Sequence, residues 1–401
     1  MTKKIKTLLF SSLYPSSARP IHGIFVETRL RELLASEMVE TKVVSPVPWF
    51  FSKNRQFGDY ALLAQTPSRE MWHGVDVLHP RYLLPPKVGM TIAPFSMALG
   101  AIACVRRLMR SGFEFDLLDA HYFYPDGVAA ALVARWIGRP CVITGLGTDL
   151  HHIPQFMLPR MMIERAARSA EASIGVCRAL IDVLADWGIP ENKLHVMRNG
   201  IDLKRFEPVD QTLARRQLSL TGSPILLAVG RLIELKGHHI VIQALKHILV
   251  HYPRAMFVVV GQGPERERLQ LLAAELGVSD HVYFAGAVSN SELKVWYGAS
   301  DLMVLASSRE GWANVLLESM ACGTPVVATR TGGTPEVMQD PVAGLLVDER
   351  APEPLANKIL ELLQNYPSRS AVRRYAEGFT WQATTDAQLQ LFERIVRQKG
   401  R

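Results

Sequence analysis

The chain has 401 residues, of which 48% are hydrophobic and 21% charged. That length supports two domains with full cores, and that composition excludes an intrinsically disordered protein. Lys and Arg outnumber Asp and Glu by 45 to 38, which favours anionic partners; no basic run resembles a nucleic-acid-binding arm, so no nucleic-acid partner is expected.

Taken in chain order, the N-terminus runs into a strand-like stretch over 5–11, with an apolar segment too short for a signal peptide. The cysteines, Cys104, Cys141, Cys177 and Cys322, form no C-x-x-C pair. They imply neither zinc nor a disulfide framework, and the expected compartment is the reducing cytoplasm. After the first strand comes Pro20-Ile-His-Gly23, where Gly23 would let backbone approach a phosphate closely. Next, Val47-Pro-Trp-Phe-Phe51 with Lys53 and Arg55 combines aromatics with basic charge, as does the stretch 82–87. Residues 88–105 carry no charge over 18 positions, and Arg106, Arg107 and Arg110 follow. That is near the minimum length for a membrane span. Gly89, Pro94, Ser96 and Gly100 interrupt its apolar character, so a buried or surface-resting helix is expected. Peripheral contact with an anionic membrane carrying a lipid-linked acceptor is the functional expectation for these segments.

Strand-like runs then fall at 42–45, 116–119, 141–144, 172–176 and 194–197, with helix-like runs between them, as at 127–136 and 178–187. His121 lies at the end of the run 116–119, and Asp149 in the stretch Gly145-Leu-Gly147-Thr-Asp149 that ends the run 141–144; there a histidine can meet a ligand and a carboxylate can bind a sugar or acceptor hydroxyl. A turn-rich stretch from Arg198 to Pro208 places a domain boundary near residue 205. Beyond it the alternation repeats, with strand-like runs at 225–229, 256–260, 282–285, 302–306, 325–328 and 345–347 and amphipathic runs at 240–250 and 265–276. A last helix is expected over 383–396. Alternation of this kind predicts α/β domains, doubly wound parallel sheets covered by helices on both faces, with ligands at the carboxyl ends of the strands.

The second half carries the chemistry. Arg231 and Lys236 lie five apart on a loop leaving a strand and entering a helix, which suits a diphosphate. Neither familiar phosphate motif is present: Leu235 stands where a P-loop needs glycine, and Arg266 where a dinucleotide fingerprint needs its third glycine. Glu310 and Glu318 sit eight apart in S-S-R-E-G-W-A-N-V-L-L-E-S-M-A-C-G-T-P-V-V-A-T, placing two acceptors along one wall, as a sugar or ribose requires. Asn314 lies at the expected start of the helix bearing Glu318, where free N–H groups can hold phosphate oxygens, unless Asn314 serves only as a cap. No D-x-D occurs, so a metal-bridged diphosphate is not supported and no metal site is assigned.

Together these residues resemble the retaining, nucleotide-sugar-dependent glycosyltransferases of family 4, with the GT-B fold. The resemblance covers the whole chain and is most specific from 226 to 348, with G-R-L-x-x-x-K-G and R-N-G-I-D-x-x-x-F beside the glutamate pair. The opening S-S-L-Y-P and H-G-I-F-V is similar to members that build bacterial exopolysaccharide or teichuronic-acid-like polymers. The resemblance implies two Rossmann-like domains facing a cleft, an N-terminal acceptor domain and a C-terminal donor domain, with the last helix returning to the first. It implies that Arg231 and Lys236 hold the diphosphate of a UDP- or GDP-linked sugar, Glu310 the sugar hydroxyls and Glu318 the ribose, with His121 beside the reacting sugar. No further cofactor is implied. The family often has G-F-G after the first glutamate where this chain has Gly311-Trp312-Ala313, which bears on the sugar pocket. Two other readings stand beside transfer: a nucleotide-sugar epimerase of the same fold, and a non-catalytic scaffold of a polysaccharide assembly complex.

Overall fold

The computed structural model describes residues 4–85 and 89–399 and divides into two compact units, Met1–Arg198 with Trp381–Arg401, and Asn199–Thr380. Lys87 and Val88, part of the expected membrane-contact segments, lie outside the described residues.

The first unit is built on an eight-stranded sheet. Its spatial order is Leu194–Val196, Ala172–Gly175, Cys141–Gly145, Leu117–His121, Ile5–Phe10, Val39–Val44, Val75–Leu78 and Arg69–Trp72. All pairings are parallel except the last, where Arg69 faces Leu78 and Trp72 faces Val75. The chain starts at the centre with Ile5–Phe10 and winds outward in both directions. Its switch point therefore lies between Ile5–Phe10 and Leu117–His121, which pair from Thr7↔Leu117 to Phe10↔Ala120. The last helix, Trp381–Lys399, belongs to this unit. Its buried residues Trp381, Thr384, Thr385, Gln388, Leu391, Phe392 and Ile395 recur at helical spacing. Leu391, Phe392 and Ile395 pack on Ile5, Leu33, Val39 and Leu117, and each large apolar side chain so buried contributes about 1.5–3 kcal/mol.

The second unit holds a six-stranded, all-parallel sheet in the order Val282–Gly286, Met256–Val260, Ile225–Val229, Leu302–Leu305, Val326–Thr329 and Gly344–Val347. Ile225–Val229 reads I-L-L-A-V and is buried throughout, as a strand covered on both faces must be. The helix His238–His251 lays Ile240, Val241, Ala244, Leu245 and Ile248 on that sheet. Here the switch point lies between Ile225–Val229 and Leu302–Leu305. Each unit is a doubly wound, Rossmann-like α/β domain, as the resemblance implies.

The segment expected to rest on a surface forms the helix Gly89–Arg110, which is long and apolar enough to cross a membrane by length and composition alone. Ala93, Met97, Ala98, Ala101, Val105 and Leu108 make one face of it part of the first unit's core. Met90, Ile92, Phe95 and Leu99 remain exposed. Trp49 and Phe51 are exposed too, and the Phe50 ring lies 4.5 Å from Phe51 and 5.1 Å from Tyr60 in a surface aromatic cluster.

Candidate active site

In the second unit, the strand Ile225–Val229 ends at Gly230, and the chain loops through Arg231 to a turn at Glu234–Lys236. That loop is held by backbone. Leu232 N–H donates to Gln262 O at 2.9 Å, and Ser308 N–H donates to Leu235 O at 2.9 Å. At Gly237, with φ +70, a Cβ would collide with the Ala306 carbonyl, and at Gly261, with φ +149, one would collide with the Gly230 carbonyl. The glycines thus let three strand-end loops touch backbone to backbone. His238, the first residue of the following helix, is buried, and burial pushes its imidazole down to about 4. Being neutral, it donates from Nε2 to the Arg231 carbonyl at 3.2 Å, which fixes the loop beneath the Arg231 side chain.

Across the switch point, Lys236 Nζ lies 2.6 Å from Glu310 Oε1, with side chains 22% and 10% exposed. The structure therefore brings together two residues 74 apart in sequence, one from each loop at the switch. Arg231 is exposed and, among the described residues, makes no ion pair. A shielded carboxylate and a partly shielded ammonium meet, and an unpaired guanidinium shares the lysine's loop, where open α/β sheets bind ligands.

Glu318 lies on the helix Asn314–Ala321 and accepts a 2.8 Å hydrogen bond from the Tyr297 hydroxyl. Burial pushes its carboxyl up to about 7, opposed by the Tyr297 bond and the charge of Arg205. Tyr297 is fully buried and stands in the helix Leu293–Ala299; no motif singled it out. Asn314 is the first residue of its helix and not the cap; Ala313 occupies the cap position and offers no side-chain bond to the helix start. Asn314 Oδ1 accepts from Asn199 Nδ2 at 3.4 Å. Trp312 is only 7% exposed, its ring 6.4 Å from Phe379, so it packs into the unit's interior.

In the first unit, His121 ends the strand Leu117–His121 at the switch point, and its carbonyl accepts from Ser11 Oγ at 2.9 Å. Its ring is buried, with Nε2 3.2 Å from Asp119 Oδ2 and Nδ1 without a partner. Asp119 Oδ2 also accepts from Gln388 Nε2 at 3.1 Å, and Gln388 Oε1 accepts from Arg29 Nε at 3.0 Å. Burial holds the Arg29 guanidinium down to about 10. Sequence reasoning missed this network because its members come from the first helix, a central strand and the last helix. It missed Asp126 as well. That buried carboxyl, pushed up to about 7 by burial, accepts from the backbone N–H and hydroxyl of Ser12 and ties together the loops on either side of the switch.

Two expectations meet a different use of the residue. Asp149 Oδ2 accepts from Phe123 N–H at 2.7 Å, and Oδ1 accepts from Leu146 N–H at 3.1 Å and Gly147 N–H at 2.7 Å. Its acceptors are consumed by backbone, so it organises a loop instead of facing a hydroxyl. Gly23 sits at φ +72 before the helix Ile24–Ala35, and a Cβ there would strike the Leu13 backbone. The close approach that needs glycine is to the chain itself. Among the described residues, no group of three or more His, Cys, Asp or Glu is gathered to hold a metal.

Residues 64–205 match the model for Glycosyltransferase Family 4, and residues 210–379 match that for Glycosyl transferases group 1. A D-inositol 3-phosphate glycosyltransferase of Corynebacterium jeikeium is 35% identical over 315 residues, spanning 71% of this chain and 73% of its own. Another so named, from Acidothermus cellulolyticus, is 31% identical over 322 residues, spanning 73% and 70%. Among solved structures, sucrose-phosphate synthase of Thermosynechococcus elongatus superposes with a TM-score of 0.77 at 21% identity, covering 98% of this chain and 99% of its own. HepE of Anabaena in complex with UDP and glucose gives 0.73 at 21%, covering 97% and 99%.

Proposed function

The chain belongs to the family 4, group 1 glycosyltransferases, and on that premise we propose that it moves a sugar from a nucleoside-diphosphate donor to an acceptor hydroxyl, with retention and without a metal. The observation that carries the reading is the Lys236–Glu310 pair across the second unit's switch point, with the unpaired Arg231 on the lysine's own loop. A diphosphate draws Lys236 away from Glu310 and meets Arg231 as well. Glu310, released, accepts from the hydroxyls of the donor sugar. As the sugar–phosphate bond breaks through an oxocarbenium-like state, charge builds on the departing diphosphate, and each well-placed cation stabilises it by about 3 kcal/mol. The leaving phosphate takes the acceptor's proton. In the first unit, His121 is assigned to the side of the reacting sugar, its buried ring oriented by Asp119.

Glu318 is assigned to the ribose. Its raised carboxyl gives the sign of a pH dependence. The unliganded fold holds a proton above the ordinary value of 4.5, and loses it, with the stability it lends, as the pH rises through about 7. Ribose hydroxyls donate to the ionised form, so affinity for the cognate nucleoside should rise about tenfold from pH 6 to 8. Isothermal titration with the nucleoside, which carries no titrating phosphate, reads this directly. Glu318→Gln should flatten the profile; a flat profile in the wild type removes Glu318 from the ribose site.

The acceptor is a glycan or lipid-linked hydroxyl of bacterial surface polysaccharide synthesis, and the expected location is the cytoplasm at the inner face of the plasma membrane. The exposed Trp49 and Phe51 near Lys53 and Arg55 support contact with an anionic bilayer. The names of the relatives favour a second acceptor class, a phosphorylated inositol. Incubation with UDP-, GDP- and ADP-sugars, with each acceptor class in EDTA, tests the function. Transfer with the donor's anomeric configuration kept supports it; epimerised donor without transfer, or no turnover at all, goes against it.

A further inference from the structure

Away from its switch point the first unit carries a groove of about 430 Å³. It runs between the helices Val128–Ile137 and Met157–Ser169 and is closed at one side by Phe95 of the helix Gly89–Arg110. Its walls are Phe95, Leu132, Leu158, Met161 and Met162. Phe95, Leu158 and Met161 are 46%, 49% and 58% exposed, an apolar concavity left open to water on a soluble face. Two methionines give that wall side chains that adapt to an irregular guest.

Arg135 and Arg165 also line the groove, and no acidic side chain does. Both are exposed, and among the described residues neither makes a hydrogen bond or ion pair through its side chain. The other arginines on the helix of Arg165 are already engaged. Arg168 holds Glu164 at 2.8 Å, and Arg160 lies over the Trp187 ring at 5.1 Å. An apolar groove flanked by two unsatisfied guanidiniums is complementary to an amphiphile with an anionic head. Guanidinium pairs select phosphate by its geometry and charge. The volume lies toward the lower end for small-molecule sites, which suits one hydrocarbon chain better than two.

We propose that this groove binds the single hydrocarbon chain of a lipid phosphate monoester, with its phosphate held by Arg135 and Arg165. The proposal rests on the reading of a lipid-linked acceptor, whose anchor presents the same hydrocarbon chain and phosphate; the monoester is that anchor without its glycan.

Farnesyl phosphate is the probe, titrated calorimetrically into the full chain, with farnesol and inorganic phosphate as single-part controls. Farnesyl phosphate should bind, and each control should bind at least roughly tenfold more weakly. The double variant Arg135→Ala/Arg165→Ala should lose roughly tenfold or more in affinity, as should Met161→Glu in the wall. All three positions are exposed, and a nucleotide-induced thermal shift equal to wild type shows that each variant is folded. No binding by the wild type, or binding unchanged in both variants, overturns the proposal. So does Arg135- and Arg165-dependent binding of phosphatidylglycerol vesicles without binding of farnesyl phosphate, because the occupant is then a bilayer lipid. Failure of the nucleotide shift in the wild type, with farnesyl phosphate still bound, counts against the transferase reading and leaves the groove standing.

Discussion

Glu310→Gln should abolish most sugar transfer while leaving nucleotide binding nearly intact. In the unliganded protein Glu310 is only 10% exposed and pairs with Lys236 at 2.6 Å. Glutamine keeps the shape and one acceptor oxygen but removes the charge. A nucleoside diphosphate would lose nothing it contacts, and Lys236 would be freer to meet it. The donor sugar loses its charged acceptor as the ring turns cationic, so turnover should fall by roughly 10² to 10³. Affinity for the nucleoside diphosphate should change by less than about threefold. Steady-state rates and calorimetry on the same preparation give both numbers. Equal losses in the two would show that Glu310 serves the nucleotide, and the division of labour between lysine and glutamate would be wrong.

Lys236→Ala should produce the opposite split. The ammonium is the diphosphate's partner in the proposal, and its removal also leaves Glu310 as an uncompensated, mostly buried carboxylate aimed at an anion. A charge-assisted contact of this kind is worth about 2–3 kcal/mol, so nucleoside diphosphate affinity should fall roughly 30- to 150-fold. Lys236→Arg should recover only part of it, because the loop is built around a lysine stem: the aliphatic part of Lys236 is what a Cβ on Gly230 would meet. Undiminished nucleotide affinity in Lys236→Ala would take the diphosphate away from this loop.

Much of this site was legible in the sequence because its residues follow strand ends. Continuous apolar runs such as 225–229 and 256–260 announce parallel strands, and the residues just after them must lie at the ligand-binding edge. Arg231, Lys236 and Glu310 were singled out as candidates that way, and the structure places Lys236 and Glu310 in contact. The hairpin Arg69–Trp72 with Val75–Leu78 was not. Its outer strand alternates exposed and half-buried residues at the sheet's edge, and its inner strand, Val75–Leu78, buries only two valines in a run too short to stand out. Gln388 was missed for another reason. It lies 269 residues from Asp119, and nothing local in the helix Trp381–Lys399 distinguishes a buried amide from a solvated one. Asp149 and Gly23 show the reverse case. Both have the residue type and loop position of ligand contacts, yet their capacity is taken up by the protein's own backbone, a use that only the folded chain displays.

The central claim is that the second unit holds a nucleoside diphosphate at its switch point without a metal. Thermal unfolding of wild type and Arg231→Ala with UDP, GDP and ADP, each in EDTA, tests it most directly. At about 100 times its dissociation constant, the cognate nucleotide should add roughly 2.7 kcal/mol to the stability of the wild type and far less to that of the variant. Stabilisation by none of the three nucleotides, or stabilisation that Arg231→Ala leaves unchanged, would contradict the account.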